Sequence, residues 1–158
     1  MKKGKIEGQM YPKVEAFLKK RGYKILREKT FLKNNIGIDI GQESVTPDVI
    51  GYKDNDVWII ECKQPCTIEQ FGFVLGQLAC DKWLFDKHDL LRQRIGRVKT
   101  IKYSVALLEK GKYQLTSLLL ETFKAILSHN RLSFGFLKMN VGSDVVEEVL
   151  KPCNRSMK

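Results

Sequence analysis

The chain has 158 residues, a net charge of +10, 43% hydrophobic and 29% charged residues. A chain of that length buries about two-thirds of its unfolded surface in one core, so it needs no disulfide staples. No apolar run approaches the roughly 20 residues of a membrane span, and the basic N-terminus lacks the apolar stretch of a signal peptide, so a cytoplasmic protein with no membrane partner is expected. The charge is unevenly spread. Residues 1–33 carry 11 basic and 3 acidic residues, a net +8; residues 34–91 carry 4 and 10, a net −6; residues 92–158 carry 13 and 5, a net +8. Basic ends around an acidic centre suit a protein that grips a polyanion at its rim and holds cations in the middle. Cys62, Cys66, Cys80 and Cys153 lack the paired spacing of a zinc site and read as free thiols.

The predicted elements follow in chain order. Residues 10–21 form a helix with Val14, Phe17 and Leu18 on one face, closed by Gly22 after a basic last turn. A strand runs from Tyr23 to Leu32, and Asn34, Asn35 and Gly37 break it. Residues 45–52 and 57–63 are β-prone and flank Lys53-Asp54-Asn55-Asp56, a tight-turn sequence, so they form a hairpin. Thr67 then caps a helix that ends near Lys87 and carries Phe71, Val74, Leu75 and Leu78 as its apolar stripe. Gly72 and Gly76, four apart, leave it a thin face. A strand over residues 101–108, a helix over 115–128, a strand over 132–139 and a short helix over 144–150, capped by Ser143, complete the chain. The reading is a single α/β domain over 1–158, a central mixed β-sheet flanked by helices. Its core spans about 10–110 in the order α-β-β-β-α-β, and a helix-strand-helix extension occupies about 111–158.

The hairpin carries the chemistry. With Asp54 and Asn55 as its two-residue turn, Lys53 faces Asp56, Ile50 faces Ile59 and Asp48 faces Glu61. Opposed residues of an antiparallel pair point to one face with Cβ atoms about 4.5–5.5 Å apart. Lys63, two residues past Glu61, shares that face, and a register slip of one residue would separate the three. Two adjacent carboxylates stay ionised together only beside a cation, and an all-oxygen site suits Mg²⁺ or Mn²⁺. Such an ion polarises a phosphoryl oxygen and activates water, while a neighbouring ammonium stabilises transition-state charge. Those parts suffice for phosphodiester hydrolysis. Cys62 points to the opposite face and belongs to the core.

Pro47-Asp48, twelve intervening residues, then Glu61-Cys62-Lys63 resembles the motif of the PD-(D/E)xK nuclease superfamily, which includes restriction endonucleases, Holliday-junction resolvases and Mrr-like enzymes. The resemblance covers about residues 10–110. It implies a restriction endonuclease-like core in which Asp48, Glu61 and the main-chain carbonyl of Cys62 bind metal and Lys63 is catalytic. It also implies a first-helix glutamate, for which Glu15 is the candidate, and a glutamine on the helix after the motif, for which Gln77 fits. Mrr-like members often place a tyrosine four residues after that glutamine; here Asp81 stands there, so that subgroup is not assigned.

For gripping nucleic acid, the candidates are Lys19, Lys20 and Arg21 at the end of the first helix and the run Arg92, Arg94, Arg97, Lys99 and Lys102. The function expected is a Mg²⁺-dependent DNA endonuclease, structure-specific or restriction-like, acting as a homodimer because a pair of active sites cuts both strands. A non-catalytic nucleic-acid-binding module on the same fold and an RNA-processing nuclease stay open as alternatives.

Overall fold

Asp54 and Asn55 make the tight turn between β4 (Val49–Lys53) and β5 (Asp56–Lys63). Asp54 adopts the left-handed conformation at φ 52°, which aspartate tolerates better than most residues. The register is the one expected from that turn: Ile50 faces Ile59, Tyr52 faces Val57 and Lys53 faces Asp56. The structure, a computed structural model, describes residues 4–26, 38–40, 43–45, 47–87, 95–129, 132–152 and 155–156.

Around this hairpin the chain builds α1 (Gly4–Lys20), β1 (Lys24–Leu26), β2 (Ile38–Ile40), β3 (Glu43–Val45), α2 (Ile68–Lys87) and β6 (Thr100–Glu109). It continues with α3 (Ser117–His129), β7 (Gly135–Asn140), β8 (Val146–Leu150) and β9 (Arg155–Ser156). The main sheet runs β1-β4-β5-β6-β7-β8, with β9 also paired to β6. β5, β6 and β7 are mutually parallel and the flanking pairs antiparallel, so the α/β class and the mixed sheet expected from the sequence are present.

Alternation along β5 divides the core in two. Trp58, Ile60 and Cys62 pack beneath α1 with Met10, Val14, Phe17 and Leu18. Val57 and Ile59 pack with Phe71, Val74 and Leu78 of α2 and with Phe123 and Leu127 of α3. The rings of Phe71 and Phe123 stack at 3.9 Å. Cys62 is therefore the core thiol expected, on the face opposite Lys63. Among the described residues, no helix is long and apolar enough to cross a membrane.

Three boundaries depart from expectation. Helix α1 starts at Gly4, six residues earlier than the periodicity indicated, and runs through Pro12. The first hairpin strand is split: Glu43–Val45 pairs with Ile38–Ile40 in a separate two-stranded sheet, and β4 begins only at Val49. The helix expected over 144–150 is instead strand β8, antiparallel to β7. Ser143 does accept a backbone N–H, but from Val145, two residues on, which makes a turn rather than a helix cap. The β-branched Val146 and Val149 then pack on opposite faces of the sheet.

Gly135 opens β7 where the chain after β8 crosses close to it. A Cβ there would lie 2.5 Å from Ser104 Oγ, 2.7 Å from Pro152 Cδ and 2.8 Å from Pro152 N. Because Pro152 N is backbone, Gly135→Ala must push the segment after β8 aside and is expected to lose about 1–3 kcal/mol of stability, measurable by urea denaturation.

Candidate active site at the end of the hairpin

Asp48 lies at a bend one residue ahead of β4, just beyond the last ladder pair, Val49 with Ile60. Its backbone N–H donates to Glu61 Oε1 at 3.3 Å, and the N–H of Cys62 donates to Asp48 Oδ2 at 2.8 Å. The two carboxylates therefore meet as the pairing arithmetic requires. Lys63, half-buried, follows Glu61 on the same face, with Nζ 5.7 Å from the ring of Phe73.

Two helices close over this pair. From α1, the Tyr11 hydroxyl donates to Asp48 Oδ1 at 2.8 Å. Glu15 stands one turn further along the same helix face. From α2, Asp81 meets the carboxyl of Glu61. Gln77 is one turn before Asp81, and Phe73 one turn before Gln77, so one face of α2 runs from Lys63 to Glu61. Glu61 is only 3% exposed and Asp81 1%. Burial, followed by the charges of Asp48 and Asp81, pushes the Glu61 carboxyl far above its ordinary range. Burial also raises Asp81, to about 6. Carboxyls perturbed in this way by burial and by one another make a functional-site candidate.

Tyr11 and Asp81 are the participants that sequence reasoning did not select. Tyr11 gave no signal beyond its place on an amphipathic helix. Asp81 did give one, an acid four residues after Gln77 where a helix facing a sheet ordinarily places an apolar side chain. With Tyr11→Phe the Asp48 carboxylate loses one of its two orienting donors. Divalent-cation affinity is expected to fall about tenfold with the fold intact, a change that isothermal titration with Mn²⁺ resolves.

The basic residues chosen from the sequence are not gathered here. Lys19, Lys20 and Arg21 end α1 roughly 12–15 Å beyond Tyr11 along the helix axis. Arg21 lies 3.8 Å over the Phe17 ring and pairs with Glu148 at 3.8 Å. Arg97 and Lys99 precede β6, whose first residue is level with Asp56, and Lys102 is level with Trp58, so they lie roughly 10–16 Å or more along β5 from Glu61. Lys102 is further engaged by the Tyr23 hydroxyl at 3.2 Å and by the faces of Tyr23 and Trp58. Arg92 and Arg94 lie outside the described residues. At the carboxyl end of the parallel strands, where open α/β sheets bind ligands, the structure instead presents Lys13 and Lys110. Together with Gln9 they line a cavity of about 160 Å³, open to solvent, between α1 and the β7–β8 turn. Lys13 Nζ is held there by the carbonyls of Asn140 and Ser143, at 3.2 and 2.6 Å.

Two crystal structures superpose on this chain over nearly its whole length. One is an XisH family protein from Nostoc punctiforme, with TM-score 0.53 and 19% identity, covering 89% of this chain and 98% of that one. The chain has an XisH-like fold. The other is an fdxN element excision controlling factor protein from Anabaena variabilis, with TM-score 0.52 and 21% identity, covering 87% and 95%. No family model and no curated protein matches the sequence. In the XisH-like sheet the hairpin β4–β5 is central, with β1 on one side and β6 on the other. The carboxylate pair is thereby held between α1 and α2 rather than at an open edge.

Proposed function

We propose that the chain is a divalent-metal-dependent DNA endonuclease of the PD-(D/E)xK type. One observation carries the reading: Asp48 and Glu61, thirteen residues apart in sequence, meet at the end of the hairpin, where the Asp48 N–H donates to Glu61 Oε1 and the neighbouring Cys62 N–H donates to Asp48 Oδ2, with Lys63 two residues on along the same strand face. The structural resemblance to a protein named as an excision controlling factor is in keeping with work on nucleic acid.

The residues suit a hard cation. Asp48 and Glu61 supply oxygen only, and Asp81 beside Glu61 adds an oxygen, Oδ2, that meets no hydrogen-bond donor. Among the described residues no three His, Cys, Asp or Glu side chains converge as a ready-made cage. Mg²⁺ rarely needs one, since it binds through one or two carboxylates and completes its shell with water and substrate phosphate. Asp48, Glu61 and the Cys62 carbonyl would hold the ion, which supplies charge neutralisation and an acidified water. Tyr11 and the Cys62 N–H fix the rotamer of Asp48. Lys63 places a positive charge where the phosphorane-like charge develops and can hydrogen-bond the attacking water. Glu15 and Gln77 border the site from opposite helices. Lys13 and Lys110 offer phosphate contacts at the same end of the sheet, and a C2 pair of chains would serve both strands of a duplex.

A non-catalytic nucleic-acid-binding module is the second reading, favoured by one observation: both oxygens of Asp48 already accept hydrogen bonds. A cleavage panel separates the two. Plasmid, linear duplex, four-way junction, flap, single strand and RNA are incubated with Mg²⁺, Mn²⁺ or EDTA. Cutting that needs metal and disappears in Asp48→Ala and Lys63→Ala is the expected result. Tight binding without cutting on every substrate would leave the binding module, and preferential cutting of RNA would move the substrate class.

A further inference from the structure

The cavity between α1 and the β7–β8 turn is built from two unlike parts. Its floor is apolar: Met10 of α1 and Leu108 of β6 are 1% and 4% exposed, and Val141 of the turn closes one side. Its rim is basic, with Lys13 and Lys110. The carbonyls of Asn140 and Ser143 fix Lys13 Nζ. They take two of its three hydrogens and leave its charge unneutralised. Among the described residues that line the cavity there is no acid. An apolar floor under a fixed positive rim suits a flat ring with a phosphate beside it, the make-up of a nucleotide.

Size and position narrow the ligand. A cavity of about 150 Å³ takes up benzene, so one of about 160 Å³ admits a single six-membered ring, and two fused rings would project into solvent. A base stacked in a duplex cannot enter such a floor until it is unpaired and turned out. Leu107 is level with Lys63, so Leu108 stands one residue further toward the same sheet end, on a neighbouring strand about 4.8 Å away. The cavity opens on the α1 side of the sheet and Lys63 lies on the α2 side, so a strand drawn over the sheet end meets both. Met10 also adjoins Tyr11, whose hydroxyl holds Asp48. We propose that this cavity receives the base of an unpaired pyrimidine nucleotide next to the scissile phosphate, with Lys13 and Lys110 holding that nucleotide's own phosphate. The substrate is then DNA carrying an unpaired nucleotide, as at a flap or junction, rather than a continuous duplex. The proposal rests on the nuclease reading and adds the form of its substrate.

Binding tests it separately from cleavage, in EDTA and again with Ca²⁺. The full chain is titrated by fluorescence anisotropy against labelled duplexes whose one-nucleotide flap carries thymine, adenine or no base. The thymine flap is expected to bind about 10–100-fold more tightly than the abasic flap, the gain from burying one apolar group of side-chain size, with adenine between them. Val141→Asp should bring thymine down to the abasic level. Met10→Ala, which deepens the floor, should bring adenine up to thymine. Lys110→Ala should weaken all three alike and lower the salt slope by about one. Val141 is 59% exposed, so its variant keeps the test open should Met10→Ala fail to fold. Equal affinity of wild type for thymine and abasic flaps, or binding of neither, would overturn the proposal. So would a thymine preference that survives unchanged in Val141→Asp. None of these outcomes removes the nuclease reading, which the cleavage panel with Asp48→Ala decides on its own.

Discussion

Lys63→Ala is expected to slow metal-dependent cleavage by about 10²–10³-fold, the usual loss when one group that stabilises transition-state charge is removed. Lys63 is the last residue of β5, on the face that carries Glu61, half-buried with its Nζ 5.7 Å from the Phe73 ring, at the strand's end rather than within either core layer. The fold and the thermal transition should therefore be nearly unchanged. DNA affinity should fall only slightly, because one phosphate contact contributes little beside the rest of a basic surface. The measurement is single-turnover cleavage at saturating enzyme and Mg²⁺, with binding followed separately. A loss of less than tenfold in the chemical rate would take Lys63 out of the chemistry. Asp48→Asn should match or exceed the loss and, unlike Lys63→Ala, should also weaken Mn²⁺ binding.

Glu61→Gln should have the opposite effects on stability and activity. Glu61 is buried against two other carboxyls, and burial and their charges raise its pKa far above the ordinary value of 4.5. The folded chain then holds a proton that the unfolded chain releases. For such a group the stabilising contribution is complete below about pH 4.5 and is lost progressively as pH rises through the range up to the folded value. Glutamine has the same shape and no such proton. In EDTA the variant should melt above wild type, by a margin that widens from pH 5 to pH 8 by at most about 1.4 kcal/mol per pH unit. Mg²⁺ should raise the melting temperature of wild type and leave the variant unmoved. Cleavage by the variant should be undetectable. A melting difference that stayed flat across this pH range would show that Glu61 is solvated and ionised in the folded protein.

Both predictions concern residues that the sequence alone brought together, and the reason is local. Period-two alternation and a two-residue turn determine which side chains face one another, so Asp48 opposite Glu61 followed from counting, and Cys62 on the reverse face followed with it. Thr67 as a cap was equally local, and its Oγ accepts from the Gln70 N–H at 3.2 Å. What escaped was set by packing between distant segments. Tyr11 reaches Asp48 across 37 positions of sequence, and nothing in its own neighbourhood marks it. Asp81 was visible as an anomaly but became meaningful only when α2 was laid over β5. The placement of the basic residues was hidden for the same reason: a basic run along the chain does not tell which end of a strand it will occupy. β8 was misread because two adjacent valines and two glutamates fit either period over so short a span, and the partner strand β7 decided the matter.

The turn at Asp54 and Asn55 also makes the hairpin a counting device that obeys parity. Adding or deleting one residue between Asp48 and Glu61 would rotate one carboxylate through the sheet, into the apolar layer under α1. Adding two would return it to its side, merely displaced along the strand. Among descendants of this chain, length changes in the turn should therefore survive in even steps and vanish in odd ones, unless a bulge absorbs the difference. The spacing between the acids is thus inherited as an even-or-odd property rather than as a fixed distance.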